Sequence, residues 1–166
     1  SLYWTQPDAV LSTDSCLSGA GGILYTHKMY FHSMFPNTII DMDLDINGLE
    51  LLTIVVALKL WGHLLKGLRC QIYCDNAASV AVINSGRSRN SFLNACLREI
   101  VFLCASFEME IYCLHIEGVN NRLSDNLSRW HLDMKYANEF QKNVDNTFVD
   151  MPVDPSLFLL DRKSVV

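Results

Sequence analysis

The sequence lacks most of the features that mark a metal knuckle, a secreted scaffold or a membrane protein. Its six cysteines, at positions 16, 70, 74, 96, 104 and 113, form no Cys-x-x-Cys pair and no knuckle spacing with histidine. A zinc knuckle is therefore not expected, and the apolar runs around most cysteines point to buried free thiols in a reducing, intracellular compartment, cytoplasm or nucleus. Basic charge is scarce, with 13 Lys+Arg against 18 Asp+Glu and a net charge of −5. This balance argues against a protein that holds nucleic acid by bulk charge alone. No clean apolar run is long enough for a membrane: the best stretch, 49–68, carries Glu50, Lys59, His63 and Lys66. Residues 1–8 have no basic n-region and no apolar h-region, so no secretory signal is expected. Internal repeats and low-complexity tracts are also missing.

What is present is core-forming material. Half of the 166 residues are apolar, enough for one domain with a real core. Residues 1–8, with Pro7, read as a linker, and 9–145 read as the domain. Periodicity is lost from 146 onward, where Pro152 and Pro155 stand, so 146–166 reads as a linker or as an arm packed on the domain. Strands are predicted over 9–16, 23–26 and 28–35, with Gly19, Gly21 and Gly22 as a turn between the first two. Tight turns make these an antiparallel meander. A long helix follows over 49–65, with apolar residues near a 3.6 period and Gly67 as its stop. Then come a strand over 69–74, helices over 77–84 and 92–107, a strand over 110–116 and a last helix over 122–130. The alternation in the second half implies parallel pairings, hence an α/β domain with a five-stranded mixed sheet flanked by helices.

Charge is uneven along the chain. The window 59–98 holds six basic residues (Lys59, Lys66, Arg69, Arg87, Arg89, Arg98) and one acid, Asp75, so it is +5 and the rest is −10. It reads either as a solvated helix face or as a modest basic strip for a phosphate backbone.

Four carboxylates stand out by placement. Asp14 lies in the first strand, Glu50 in the first turn of the long helix, Asp75 at the end of the fourth strand and Asp125 at the start of the last helix. The gaps between them are 36, 25 and 50 residues. Singly, most have a purely structural alternative. Asn47-x-x-Glu50 fits a capping-box variant, Asp75 could cap the following helix, and Asp125 suits a helix first turn. Asp14, in a central strand, is costly to bury unless paired or metal-bound. Together they have a chemical purpose. Converging carboxylates repel one another in a low-dielectric site, and divalent cations remove that repulsion. Two Mg²⁺ ions about 3.5–4 Å apart can clamp the attacking water and the leaving oxygen of a phosphodiester, and Mg²⁺ asks only for carboxylate oxygen and water.

The runs Ser-Thr-Asp14-Ser-Cys, Gly48-Leu-Glu50-Leu-Leu, Tyr-Cys-Asp75-Asn and Ser124-Asp125-Asn-Leu-Ser-Arg129 resemble the ribonuclease H family. The run His115-Ile-Glu-Gly-Val-Asn-Asn-Arg-Leu-Ser-Asp125 is similar to the closing motif of ribonuclease H domains linked to retrotransposon reverse transcriptases. Ile46-Asn47-x-Leu-Glu50-Leu-Leu looks most like the DIRS-like tyrosine-recombinase elements. The resemblance covers roughly residues 9 to 131, including the order of elements.

The resemblance implies a ribonuclease H-like fold with three antiparallel and then two parallel strands. It implies a hydrolase of the RNA strand in RNA–DNA hybrids during reverse transcription of a retroelement, leaving 3′-hydroxyl and 5′-phosphate ends. Two Mg²⁺ ions, with Mn²⁺ possible, would be the cofactors. Asp14 would bridge both, Asp125 would help hold the ion that activates water, and Glu50 and Asp75 would hold the other. His115 matches a mobile histidine that assists proton transfer or product release. Ser15, Cys16 and Asn76 would face the 2′-hydroxyls of the minor groove, and Arg87 and Arg89 would grip phosphates of the DNA strand. Ser15 stands where many relatives have Gly, Ala77 stands where a hydrogen-bonding side chain is common, and no dense basic protrusion is present. These departures imply that a polymerase domain of the same polyprotein supplies much of the grip. Two other readings compete: a catalytically silent module beside a polymerase, and an integrase-type nuclease acting on DNA.

Overall fold

The computed structural model describes residues 6–160. The linker expected over 1–8 and the linker or arm expected over 146–166 extend outside them, at 1–5 and 161–166. The chain forms an α/β domain with one six-stranded mixed sheet flanked by helices. Its strands are β1 (Ala9–Ser15), β2 (Gly19–Leu24), β3 (Met29–Met34), β4 (Arg69–Cys74), β5 (Glu110–His115) and β6 (Val149–Asp150). The order across the sheet is β5-β4-β1-β2-β3-β6. β1, β2 and β3 form the antiparallel meander. β4 adds to β1 in parallel and β5 adds to β4 in parallel.

The helices are α1 (Asn37–Ile40), α2 (Ile46–Trp61), α3 (Ala77–Ser85), α4 (Ser91–Phe107), α5 (Arg122–Ser128) and α6 (Met134–Asn143). α2, α3 and α4 cover one face and share the main core with the inward residues of β1, β4 and β5, among them Leu11, Ile72 and Cys113. α5 and α6 cover the other face over β2 and β3, through Ile23, Leu127 and Phe140. α2 runs on into a 3₁₀ turn, and Ile46–Leu64 is long and apolar enough to cross a membrane by length and composition. In the fold it is a central core helix, with 72 % of its most apolar 18-residue window buried against the sheet, α4 and the C-terminal arm. That all-round burial explains a helix apolar on nearly every side.

Several expectations change. The sheet has six strands, not five, because the arm after residue 146 folds back: Val149 N–H donates to Lys28 O at 2.9 Å and Met151 N–H to Tyr30 O at 2.8 Å. The arm continues into a 3₁₀ turn, Pro155–Phe158, whose Phe158 is buried edge-on against Phe35 with ring centroids 5.7 Å apart. Through Leu160 it is a packed arm and not a linker. α1 and α6 were not expected; α6 is an amphipathic helix that contributes one fully buried side chain, Phe140. Gly67 lies beyond the 3₁₀ turn, at φ +73°, and does not itself cap α2, which ends at Trp61. Gly19, Gly21 and Gly22 do not form a turn but lie inside β2; the turn is Cys16–Ser18, closed by Cys16 N–H to Gly19 O at 2.9 Å.

Gly19 and Gly21 are in the strand because the end of α5 lies almost on its backbone, and Gly22 because the Phe31 ring lies over it. A Cβ on Gly21 would stand 2.3 Å from the Leu127 Cβ, and one on Gly19 would stand 2.4 Å from Ser128 O. Small side chains complete the close approach: Ser12 Oγ meets Ser124 Oγ at 2.7 Å, and the Asn121 amide donates to Thr13 O at 3.0 Å.

Candidate functional site: a four-carboxylate cluster

The four acids are delivered by four different elements. Asp14 sits one residue before the end of β1 and is 4 % exposed. Glu50 is the fifth residue of α2, in its second turn rather than its first, and is 3 % exposed. It is not part of a capping box, since Asp45 is the N-cap and accepts from Gly48 N–H at 3.0 Å. Glu50 is instead aimed at the end of β1, where its Oε1 accepts from Ser15 N–H at 3.0 Å. Asp75 follows β4 directly and caps nothing; the N-cap of α3 is Asn76, whose Oδ1 accepts from Ser79 N–H at 2.8 Å. Asp125 lies in the first turn of α5, half-exposed, with its Oδ1 accepting from Arg129 Nε at 2.9 Å.

These carboxylates are close enough to shift one another's proton affinity. Burial comes first and the Glu50, Asp75 and Asp125 charges follow, together pushing the Asp14 carboxyl up to about 11. Glu50 is pushed up to about 7, mainly by burial, against the hydrogen bonds from Asp14 and Ser15 that favour its charge. Asp75 is raised by burial and by Asp125, opposed by its hydrogen bond with Asp14. Asp14 is thus the hub, interacting with each of the other three. Packed carboxylates with raised proton affinities form the kind of site whose repulsion a cation would relieve.

The donor chemistry fits a cation. Glu50, Cys74 and Asp75 place one ligand atom each within 4.8 Å of one another, a cluster that could hold a metal ion. Its carboxylate oxygens, extended by Asp14 and Asp125, suit a hard divalent cation such as Mg²⁺. The Cys74 thiol donates to Glu50 Oε2 at 3.9 Å, and burial with the Glu50 charge pushes its pKa far up, so it stays protonated in the metal-free protein.

The remaining predicted residues distribute around this centre. His115 closes β5 and is exposed; its Nε2 lies 3.2 Å from the Asp75 carbonyl oxygen. A carbonyl only accepts, so this nitrogen carries the proton. Ser15 and Cys16 are buried in the β1–β2 corner, Cys16 Sγ donating to Ser128 O at 3.3 Å. The Asn76 amide, besides its capping oxygen, donates to Asn47 Oδ1 at 2.8 Å. Arg87 and Arg89 are exposed in the turn between α3 and α4. The basic window does not act as one strip. Lys59 is largely buried, 3.4 Å from Glu99 and bonded to the Leu159 carbonyl, and Arg69 pairs with Asp8.

Sequence reasoning assigned no role to Cys74 and Arg129. The i,i+4 spacing of Asp125 and Arg129 was the available signal for the second. For Cys74 there was only its adjacency to Asp75 at a strand end.

No protein-family model matches the chain, and no curated protein matches it.

Proposed function

We propose that this chain is a metal-dependent endoribonuclease with a ribonuclease H-like fold, cutting the RNA strand of RNA–DNA hybrids during reverse transcription of a retroelement. The observation that carries the reading is convergence at the end of β1, where Asp14 sits: Glu50 accepts from Ser15 N–H, Asp75 lies within 4.8 Å of Glu50, and α5, which carries Asp125, packs on β1 and β2. The strand order β5-β4-β1-β2-β3, with β6 as an added edge, supports the fold assignment.

Asp14, Glu50, Asp75 and Asp125 would hold two divalent cations, Mg²⁺ or Mn²⁺, which when bound would activate a water and stabilise the leaving oxygen of the phosphodiester. The protein's own contribution is placement. β1 and β4 hold Asp14 and Asp75 on rigid backbone, α2 presses Glu50 against the β1 end, and Arg129 orients Asp125. His115, protonated at Nε2 and exposed beside Asp75, is positioned to pass a proton at the edge of the site. The hybrid would be told from duplex DNA by the 2′-hydroxyls of its wide minor groove. A polymerase domain of the same polyprotein would supply the basic surface that this acidic chain lacks.

The test is incubation of the chain with labelled RNA–DNA hybrid in Mg²⁺, in Mn²⁺ and in chelator, beside Asp75→Asn. Metal-dependent cutting of the RNA strand, lost in the variant, is the expected result. Cutting of duplex DNA instead would point to an integrase-type nuclease. Folded protein that stays silent even when fused to its polymerase would leave a non-catalytic module.

A further inference from the structure

We propose that Cys74, with Glu50 and Asp75, forms a site for a thiophilic divalent cation, Zn²⁺ or Cd²⁺, whose binding shuts out the hard cations at the same carboxylates. The blocking role rests on the nuclease reading; the metal site itself does not.

The geometry begins with where β4 stops. Neighbouring residues in a strand point to opposite faces, but β4 ends at Cys74, so Asp75 is released from that alternation. Its carboxylate therefore comes to the same side as the Cys74 thiol, and both reach Glu50, with all three ligand atoms within 4.8 Å of one another. Among the described residues this is the one such cluster.

The spacing suits a shared ion. With zinc–sulfur bonds of about 2.3 Å and zinc–oxygen bonds of about 2.0–2.2 Å at a tetrahedral angle, sulfur and oxygen stand roughly 3.5–3.7 Å apart. Cys74 Sγ and Glu50 Oε2 are 3.9 Å apart, a few tenths of an ångström from that value. Asp14 stands beside the cluster, where its carboxyl interacts with both Glu50 and Asp75.

A second observation points to the same place. The Ser15 hydroxyl, on a residue 6 % exposed, lies beside the Glu50 carboxylate without a well-formed hydrogen bond of its own. It is a polar group left over at the rim of the cluster, where an ion or its water would satisfy it.

Binding breaks the Cys74 S–H bond and forms a metal–sulfur bond, with the proton released to solvent; no oxidation state changes. Mg²⁺ has little use for sulfur, whereas Zn²⁺ and Cd²⁺ favour it. Cys74 thus gives thiophilic ions a hold that the carboxylates alone would not, so they displace the hard cations by competition.

The experiment titrates Cd²⁺ into the metal-free chain and follows the ultraviolet thiolate-to-cadmium charge-transfer band. The expected result is saturation near one Cd²⁺ per chain, loss of the band in Cys74→Ser, its persistence in Cys113→Ser, and binding weakened at least about tenfold in Glu50→Gln. No band in the folded wild-type chain, or an undiminished band in Cys74→Ser, overturns the proposal. If Cys74→Ser does not fold, Glu50→Gln decides, because it keeps the thiol: unchanged Cd²⁺ affinity overturns the site. The readout needs no RNA cleavage. A normal band without Mg²⁺-dependent cutting removes the nuclease reading alone; normal cutting without a band removes the thiol site alone.

Discussion

Gly21 and Leu127 are in such close register that a Cβ on the glycine would stand 2.3 Å from the Leu127 Cβ. This approach seats α5 on β2 and brings Asp125 within electrostatic reach of Asp14, whose strand partner is Gly21 itself. Gly21→Ala should therefore push α5 away, costing about 1–3 kcal/mol as an overpacked core position does. Cleavage should fall by more than the loss of folded protein explains. Urea unfolding and a rate per folded molecule, measured together, check this.

The metal-free acid cluster should make stability fall as pH rises. Asp14 and Glu50 have folded pKa values of about 11 and about 7, above the ordinary 3.8 and 4.5. A raised carboxyl favours the protonated folded state, so stability is greatest below about pH 4 on this account and is lost as pH rises through 7 and beyond. Chelator-treated protein should be less stable at pH 8 than at pH 5 by at least about 1.4 kcal/mol, the worth of one pKa unit. Mg²⁺ or Mn²⁺ should recover that stability at pH 8, and Asp14→Asn should reduce both effects, leaving the share that burial of Glu50 contributes. Denaturant melts at the two pH values, with and without metal, provide the measurement.

Asp14→Asn and Asp75→Asn should abolish RNA cleavage while leaving the fold intact. His115→Ala should slow it by about 10²-fold, the low end for a residue that moves a proton. A rate profile against pH should lose one limb in the histidine variant, whereas a purely structural histidine would leave the profile's shape unchanged.

Arg129→Gln should loosen Asp125 by removing the 2.9 Å bond to its Oδ1. Cleavage should decline and the metal concentration for half-maximal rate should rise, with Tm nearly unchanged because the pair is partly exposed. Metal titrations of cleavage on the variant and wild type test it.

Phe158→Ala should cost about 3–5 kcal/mol, the usual loss for a buried phenylalanine. Phe158 is 1 % exposed and locks the C-terminal arm against Phe35. Calorimetry of this variant should show a clearly lowered Tm, which a loose linker would not give.

Local pattern carried much of the fold into view. The long apolar run of α2, the β-rich run of β4 and the helices α3 and α4 were readable because each depends on a few neighbouring residues. The glycines of β2 were misread as a turn, since the reason for Gly19 and Gly21 is a helix packed on them from more than 100 residues away. β6 was invisible for a similar reason: a two-residue strand has no period, and only the Lys28 and Tyr30 carbonyls define it.

By itself, the sequence determined which acids were candidates and the kinds of element that carry them, because periodicity and motif spacing are local properties. Only the tertiary structure decided that Glu50 serves the end of β1 rather than its own helix, that Asn76 and not Asp75 caps α3, and that Cys74 joins the acids. Those outcomes depend on the packing distance between α2, α5 and the sheet, and that distance is set by side chains scattered along the whole chain.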